Sequence, residues 1–225
     1  ETVNKFKEPK GSSAPKEAFA AYEVVKKIKT ELDRGIPVRQ QSLNEEESIA
    51  LKPLNLLTIK PVIYVFNVSE EQLQNKADRE IRIQTILKDM DSHNYLFLCA
   101  KMEAEIVAFN AEEQKEYLKQ FNLNESGLNR LIKKAYEALG LISFLTAGVI
   151  EAKAWTIKKG TLAPQAAGTI HTDFEKKFIK ADIVKYEDFV KCGSWVKARE
   201  LGLVQITGKD YVIRDGEVVE FKIGS

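Results

Sequence analysis

The sequence predicts a mixed α/β chain: a parallel-strand α/β layer preceded by helices and followed by a separate α+β module. Three observations predict it. Pro61 opens a continuous apolar run, Val62-Ile63-Tyr64-Val65-Phe66, whose β-branched and aromatic residues suit a parallel strand buried on both faces. A second run, Tyr95-Leu96-Phe97-Leu98, follows one strand-plus-helix unit later. From Leu141 onward, short strands, turns and helices alternate to the end of the chain.

Length and composition bound the class. At 225 residues, 44% hydrophobic and 30% charged, the chain holds one large or two small domains. A net charge of +1 gives no global argument for a nucleic-acid or membrane surface. Cys99 and Cys192 lie far apart, one ending a strand and one in a polar stretch, without Cys or His companions at metal-ligand spacing. A reduced, cytoplasmic protein is the simple reading. The sequence shows no signal-peptide pattern, lipidation motif, internal repeat or bilayer-spanning apolar run.

Residues 1–58 read as helical. Glu1 to Phe6 is the tail of a first helix, broken at Pro9-Lys10-Gly11-Ser12-Ser13. Ser13 caps a second helix, with Pro15 tolerated in its first turn. Phe19, Tyr22, Val25, Ile28 and Leu32 give it one apolar stripe, and Gly35 and Pro37 end it. Asn44 and Glu47 form a capping box before a short helix at Ile49–Leu51, which Pro53 kinks or ends. After Glu70 a helix spans roughly Ala77–Asp91, turning Ile81, Ile83, Ile86, Leu87 and Met90 to the sheet. His93 reads as a surface residue in the following turn. Glu103-Ala104-Glu105-Ile106 starts another helix, its carboxylates suiting the positive end of the dipole rather than catalysis. Asn124 caps a last one, Leu128–Leu139, which stops at Gly140.

Beyond Leu141, Ser143–Thr146 and Glu151–Ile157 form a hairpin. Ala163–Ala167 is a short helix, Phe178–Val184 a strand and Trp195–Leu201 a helix. Tyr211–Ile213 and Val218–Lys222 close the sheet through Asp215-Gly216, a hairpin signal. His171-Thr172-Asp173 reads as a helix start, with Thr172 or Asp173 as cap. Thirteen Lys or Arg against eleven Asp or Glu give this part a net +2, no electrostatic footprint for nucleic acid. Lys158-Lys159 and Lys176-Lys177 read as solvated surface.

The residues with chemistry sit at the ends of the two parallel strands, the edge where open α/β sheets bind ligands. The first run stops on Asn67-Val68-Ser69-Glu70 and the second on Cys99-Ala100-Lys101. Alone, Asn-Val-Ser-Glu suits a turn and a helix N-cap by Ser69 or Asn67. The buried strand before it and the Cys-Ala-Lys tail of the next strand favour a ligand-reading pair instead.

These tails resemble the base-reading loops of P-loop GTPases, Asn-Lys-x-Asp and Ser-Ala-Lys. Asn-x-x-Glu in place of Asn-Lys-x-Asp is similar to the YchF subfamily, the Obg-like ATPases, which prefer ATP. Ala154-Trp155-Thr156-Ile157-Lys158-Lys159-Gly160-Thr161, Ala163-Pro164-Gln165-Ala166-Ala167-Gly168 and Ile170-His171-Thr172-Asp173-Phe174-Glu175 resemble that family's TGS domain, a ubiquitin-like β-grasp module. The resemblance covers most of the chain. It implies a helical coiled-coil arm at 1–58, inserted in a P-loop NTPase domain whose C-terminal half spans 59–140, and a TGS domain at 141–225. It also implies that Asn67, Val68 and Glu70, with Cys99, Ala100 and Lys101, meet adenine, backbone N–H groups at 100 and 101 facing its edge. ATP and Mg2+ in the complete protein, ribosomal RNA of the large subunit as partner, and a cytoplasmic location follow from the same resemblance.

The base swap has a physical reason. The aspartate of Asn-Lys-x-Asp accepts hydrogen bonds from guanine's ring N–H and amine, whereas adenine's unprotonated ring nitrogen would be repelled by a carboxylate. Glu70, one methylene longer, has to swing away or meet other donors. Val68 stands where a lysine stem covers the base, and Asn67 either bonds the base or braces the loop. The sequence contains no Gly-x-x-x-x-Gly-Lys-Ser/Thr and no upstream Asp-x-x-Gly, and it opens at Glu1 in mid-helix. The phosphate loop and catalytic groups are therefore expected upstream, and this chain alone is expected not to hydrolyse nucleotide. Two alternatives stand beside that reading: a non-catalytic module binding RNA or the ribosome through arm and TGS, and a GTPase with an altered specificity loop.

Overall fold

The computed structural model describes residues 16–75, 81, 86, 94–148 and 151–224. The chain divides into two compact units, 1–127 and 128–225.

In the first unit, helix α1 (Lys16–Asp33) stops where Gly35 takes φ +84, a left-handed conformation that glycine adopts without steric cost. Val25 and Ile28 are buried against Val38, Leu51 and Leu56, with Leu32 beside them, while Phe19 at the other end of the stripe is exposed. The segment after α1 thus covers its C-terminal half. The expected first helix and the Ser13 cap lie outside the described residues. Helix α2 (Glu45–Leu51) opens with the expected capping box: Asn44 Oδ1 accepts the Glu47 N–H at 2.8 Å and Glu47 Oε2 accepts the Asn44 N–H at 2.9 Å. Lys27 Nζ donates to Glu47 Oε1 at 2.7 Å and, with the Asn44 N–H, holds that carboxyl below its usual range.

Strand β1 (Tyr64–Asn67) pairs in parallel with β2 (Tyr95–Leu98), Tyr64 opposite Tyr95 and Asn67 opposite Leu98. The first strand begins two residues later than its apolar run, and Val65 is exposed rather than buried on both faces. Among the described residues β1 pairs only with β2, and the face that bears Val65 is incompletely covered. Helix α3 (Glu70–Gln74) starts immediately after Ser69, which makes a capping box with Gln72. Helix α4 (Ala100–Ile106) starts at Ala100, three residues ahead of expectation. Helix α5 (Ala111–Gln120) was not foreseen, although Asn110 and Glu113 cap it with the same Asn-x-x-Glu box as α2. Leu73, Cys99 and Met102 form the core here with Val68, Phe97, Tyr117, Phe121 and Leu123. Most of the helix expected over Ala77–Asp91, and His93, lie outside the described residues; of its positions, Ile81 and Ile86 are helical but exposed.

The second unit opens on α6 (Gly127–Leu139), which starts too late for Asn124 to cap it and ends before Gly140 at φ +61. There follow β3 (Leu141–Ala147), β4 (Ala152–Lys158), α7 (Ala163–Ile170), α8 (Thr172–Lys176), β5 (Phe178–Lys185), α9 (Tyr186–Cys192), α10 (Trp195–Glu200), β6 (Gln205–Thr207) and β7 (Glu217–Ile223). The sheet order is β4-β3-β7-β5-β6, with β3 and β7 parallel and the other pairs antiparallel. Ala163, Ala166 and Ala167 of α7 are fully buried; their small side chains let the helix sit close over Phe144, Ile157, Phe178 and Val219.

The expected hairpin at Asp215-Gly216 does not form. Tyr211–Ile213 makes only a bridge, Leu162 to Val212, and the strand opposite β7 is β5. The turn docks on β3 instead: Ser143 donates its N–H to Asp215 Oδ1 at 2.8 Å and accepts the Gly216 N–H at 2.8 Å. Buried Glu217 accepts the Tyr211 hydroxyl at 2.6 Å and the Arg214 N–H at 2.9 Å, which occupies the segment that a hairpin partner would have used. His171, not Thr172 or Asp173, caps α8, its Nδ1 accepting the Asp173 N–H at 3.2 Å. Cys192 is buried beside Val184 and Ala198 rather than in polar surroundings.

Candidate functional site

Two parallel strands in register deliver their carboxyl ends side by side, so the tails after Asn67 and Leu98 meet. Val68 donates its N–H to the Leu98 carbonyl at 2.9 Å, carrying the ladder one step past the strands. Asn67 Oδ1 then accepts the Ala100 N–H at 3.0 Å, and Lys101 Nζ donates to Glu70 Oε1 at 3.0 Å. These contacts join groups 33 and 31 residues apart in sequence.

Asn67, Val68, Glu70, Cys99 and Lys101 line one cavity of ≈ 590 Å³, with Ser69 and Glu71. Ala100 contributes its N–H to Asn67, so of the two roles open to Asn67 the structure displays the brace. Glu70 meets another donor, as its extra length requires. Ser69 caps α3 while its neighbours line the cleft, so the cap does not preclude a ligand there.

The site extends beyond the tails. Lys101 Nζ also lies 3.9 Å from Glu105 Oε1, one helical turn on, and Tyr117 of α5 donates its hydroxyl to Glu105 Oε2. The hydrogen bond and charge of Glu70, then the charge of Glu105, raise the Lys101 ammonium above its ordinary value. The bond to Glu105, followed by burial, pushes the Tyr117 hydroxyl up to about 12. Tyr117 escaped the sequence reading along with α5; the Asn110 capping box is the signal that locates both. Glu103 is structural: its Oε1 accepts the Gly127 N–H at 2.6 Å, and a Cβ on Gly127 would stand 2.7 Å from that oxygen and 2.8 Å from Leu98 Cβ.

A larger cavity of ≈ 670 Å³ lies in the second unit, lined by Lys185, Arg214, Glu187, Asp215 and Glu217 among others. Its charges are of both signs, and Asp215 and Glu217 are committed to the backbone N–H groups of Ser143 and Arg214. Chemistry rather than size selects the strand-end cleft. Among the described residues no group of three or more His, Cys, Asp or Glu is placed to hold a metal ion, and no helix is long and apolar enough to cross a membrane.

The family model YchF-GTPase_C, described as a protein of unknown function (DUF933), matches residues 141–224. The Ribosome-binding ATPase YchF of Bacillus subtilis is 40% identical over 209 residues, covering 92% of this chain and 57% of that protein. The chain belongs to the YchF family. Obg-like ATPase 1 of Gallus gallus is 36% identical over 231 residues, covering 100% of this chain and 58% of the relative. The solved YchF GTPase of Schizosaccharomyces pombe superposes with a TM-score of 0.79 at 31% identity, covering 98% of this chain and 59% of that one. The chain therefore spans somewhat more than half the length of the YchF proteins it matches. Their names divide over the base, ATPase for two and GTPase for the third.

Proposed function

We propose that this chain supplies the adenine-reading half of the nucleotide site in a ribosome-associated, ATP-hydrolysing YchF protein. The observation that carries the reading is the joining of the two strand ends: Asn67 holds Ala100, and Lys101 holds Glu70, around one cleft at the carboxyl edge of parallel strands. Asn67 keeps its amide Nδ2 and a second lone pair on Oδ1, the donor and acceptor that adenine's N7 and N6 amine require. With Glu70 Oε1 paired to Lys101, that carboxylate is engaged rather than left free for guanine's ring N–H and amine. Val68 gives an apolar cover for the base. Hydrolysis of the γ-phosphoryl bond would need a phosphate loop and Mg2+, and the sequence given contains no phosphate-loop motif.

In the same reading residues 1–58 are the coiled-coil arm, 59–140 the C-terminal half of the nucleotide domain, and 141–225 a TGS domain of β-grasp type. Numbered from β3, the sheet order second-first-fifth-third-fourth, with a helix across one face, supports that last assignment. Arm and TGS would dock on the ribosome, as the name of the Bacillus subtilis relative suggests; large-subunit RNA as the contact and a cytoplasmic location complete the reading. The test is competition for a fluorescent adenine nucleotide bound to the chain: ATP displaces it more effectively than GTP, and Asn67→Ala removes the preference. Equal displacement, or a preference for GTP, overturns adenine reading. Co-sedimentation with ribosomes that survives Asn67→Ala would favour a binding module without nucleotide use.

A further inference from the structure

Four side chains from three helices form a line that begins in the cleft and leaves it. Glu70 opens α3, Lys101 and Glu105 lie one turn apart on α4, and Tyr117 stands on α5. Lys101 is the link between two carboxylates, 3.0 Å from Glu70 and 3.9 Å from Glu105. The unequal distances follow from Tyr117, which donates a hydrogen bond to Glu105, satisfying its other oxygen and lowering its demand for the ammonium. Lys101 is thereby left to Glu70.

Resting on the adenine reading above, we propose that Lys101 is a specificity-determining residue for the base and that Tyr117, through Glu105, is its positioning residue. A carboxylate at Glu70 free of its lysine has two oxygens for guanine's ring N–H and amine and repels adenine's unprotonated ring nitrogen. Paired with Lys101 through Oε1, it no longer offers both oxygens, and its charge is offset by the ammonium. Discrimination between the bases thus resides in the partner given to Glu70 as much as in Glu70 itself. The Lys101 side chain is 72% exposed, so the pair is screened by water and its leverage is bounded: removal changes the adenine-to-guanine ratio by up to about fivefold, not by orders of magnitude.

The experiment is an amide chemical-shift titration of the whole chain with AMP and with GMP, read at residues 67–70 and 99–101. Lys101→Met is expected to weaken AMP, strengthen GMP and lower their affinity ratio up to about fivefold. Lys101→Arg is expected to keep the ratio. Tyr117→Phe frees Glu105 to draw Lys101 away and is expected to move the ratio in the same direction by a smaller factor. Adding Glu105→Gln to Tyr117→Phe removes the competitor and restores the ratio, which a merely structural role for Tyr117 would not produce. Equal weakening of both nucleotides by Lys101→Met, or no restoration by the double substitution, overturns the proposal. If neither nucleotide shifts the wild-type amides, the adenine reading itself fails and this inference falls with it; if AMP binds and the ratio ignores Lys101, only this inference fails.

Discussion

In the first unit the groups of chemical interest are on the outside, held by single polar contacts across long stretches of sequence. Asn67 to Ala100 and Glu70 to Lys101 are exposed bonds at the ends of two strands that pair in parallel. In the second unit a five-strand sheet closes over fully buried Phe144, Ala163, Ala166 and Ala167. The difference teaches that position and stability are obtained by different means in one chain. Apolar burial fixes the second unit with little regard to any particular bond. In the first, each polar contact sets where one functional group lies while contributing little to folding.

The largest expected effect tests the core. Phe144→Ala leaves a cavity and is expected to destabilise the second unit by about 3–5 kcal/mol in denaturant unfolding, without disturbing the amides at 67–70 and 99–101. A matching loss in both units would break the contrast. Next, Gly127→Ala pushes a methyl against Glu103 and Leu98 and is expected to cost about 1–3 kcal/mol, seen as faster hydrogen exchange around both residues. Asn67→Ala should cost only about 1 kcal/mol or less, with faster exchange at Ala100 as its clearest sign.

The smallest effect is spectroscopic. Of seven tyrosines, Tyr117 and Tyr211 are raised to about 12, the first chiefly by its bond to Glu105 and the second chiefly by burial. Because folding raises both, their contribution to stability is complete below pH 10, the ordinary phenol value, and fades as pH rises through 12. Ultraviolet titration should show two late phenols, and Glu105→Gln should advance Tyr117 while leaving Tyr211 in place. If Glu105→Gln moves both or neither, the distinction between a bonded and a buried phenol is wrong.

Much of this was legible in the sequence because it is local. The capping box at Asn44, the strand at Tyr95–Leu98 and the helix stops at Gly35 and Gly140 follow from spacing and backbone preference over a few residues. Five of the seven residues that line the cleft, Asn67, Val68, Glu70, Cys99 and Lys101, were also legible, since strand ends of parallel neighbours must adjoin. What escaped is non-local. Whether Asp215-Gly216 closes a hairpin depends on Ser143 and Glu217 competing for its backbone, which no turn preference reveals. The exposure of Val65 depends on what packs against its face of the sheet, which an apolar run does not reveal. The Lys101–Glu105–Tyr117 line needs α4 and α5 packed together before spacing in sequence means anything.

The strand order of the second unit also bears on self-association. Within that unit β4 and β6 are the margins of the sheet, where unpaired backbone invites another strand. One margin is only three residues long; the other bears exposed Lys153 and Lys158, with Lys153 Nζ lying 4.2 Å over the Trp155 ring. Shortness on one side and positive charge on the other deny an incoming strand a long, neutral template.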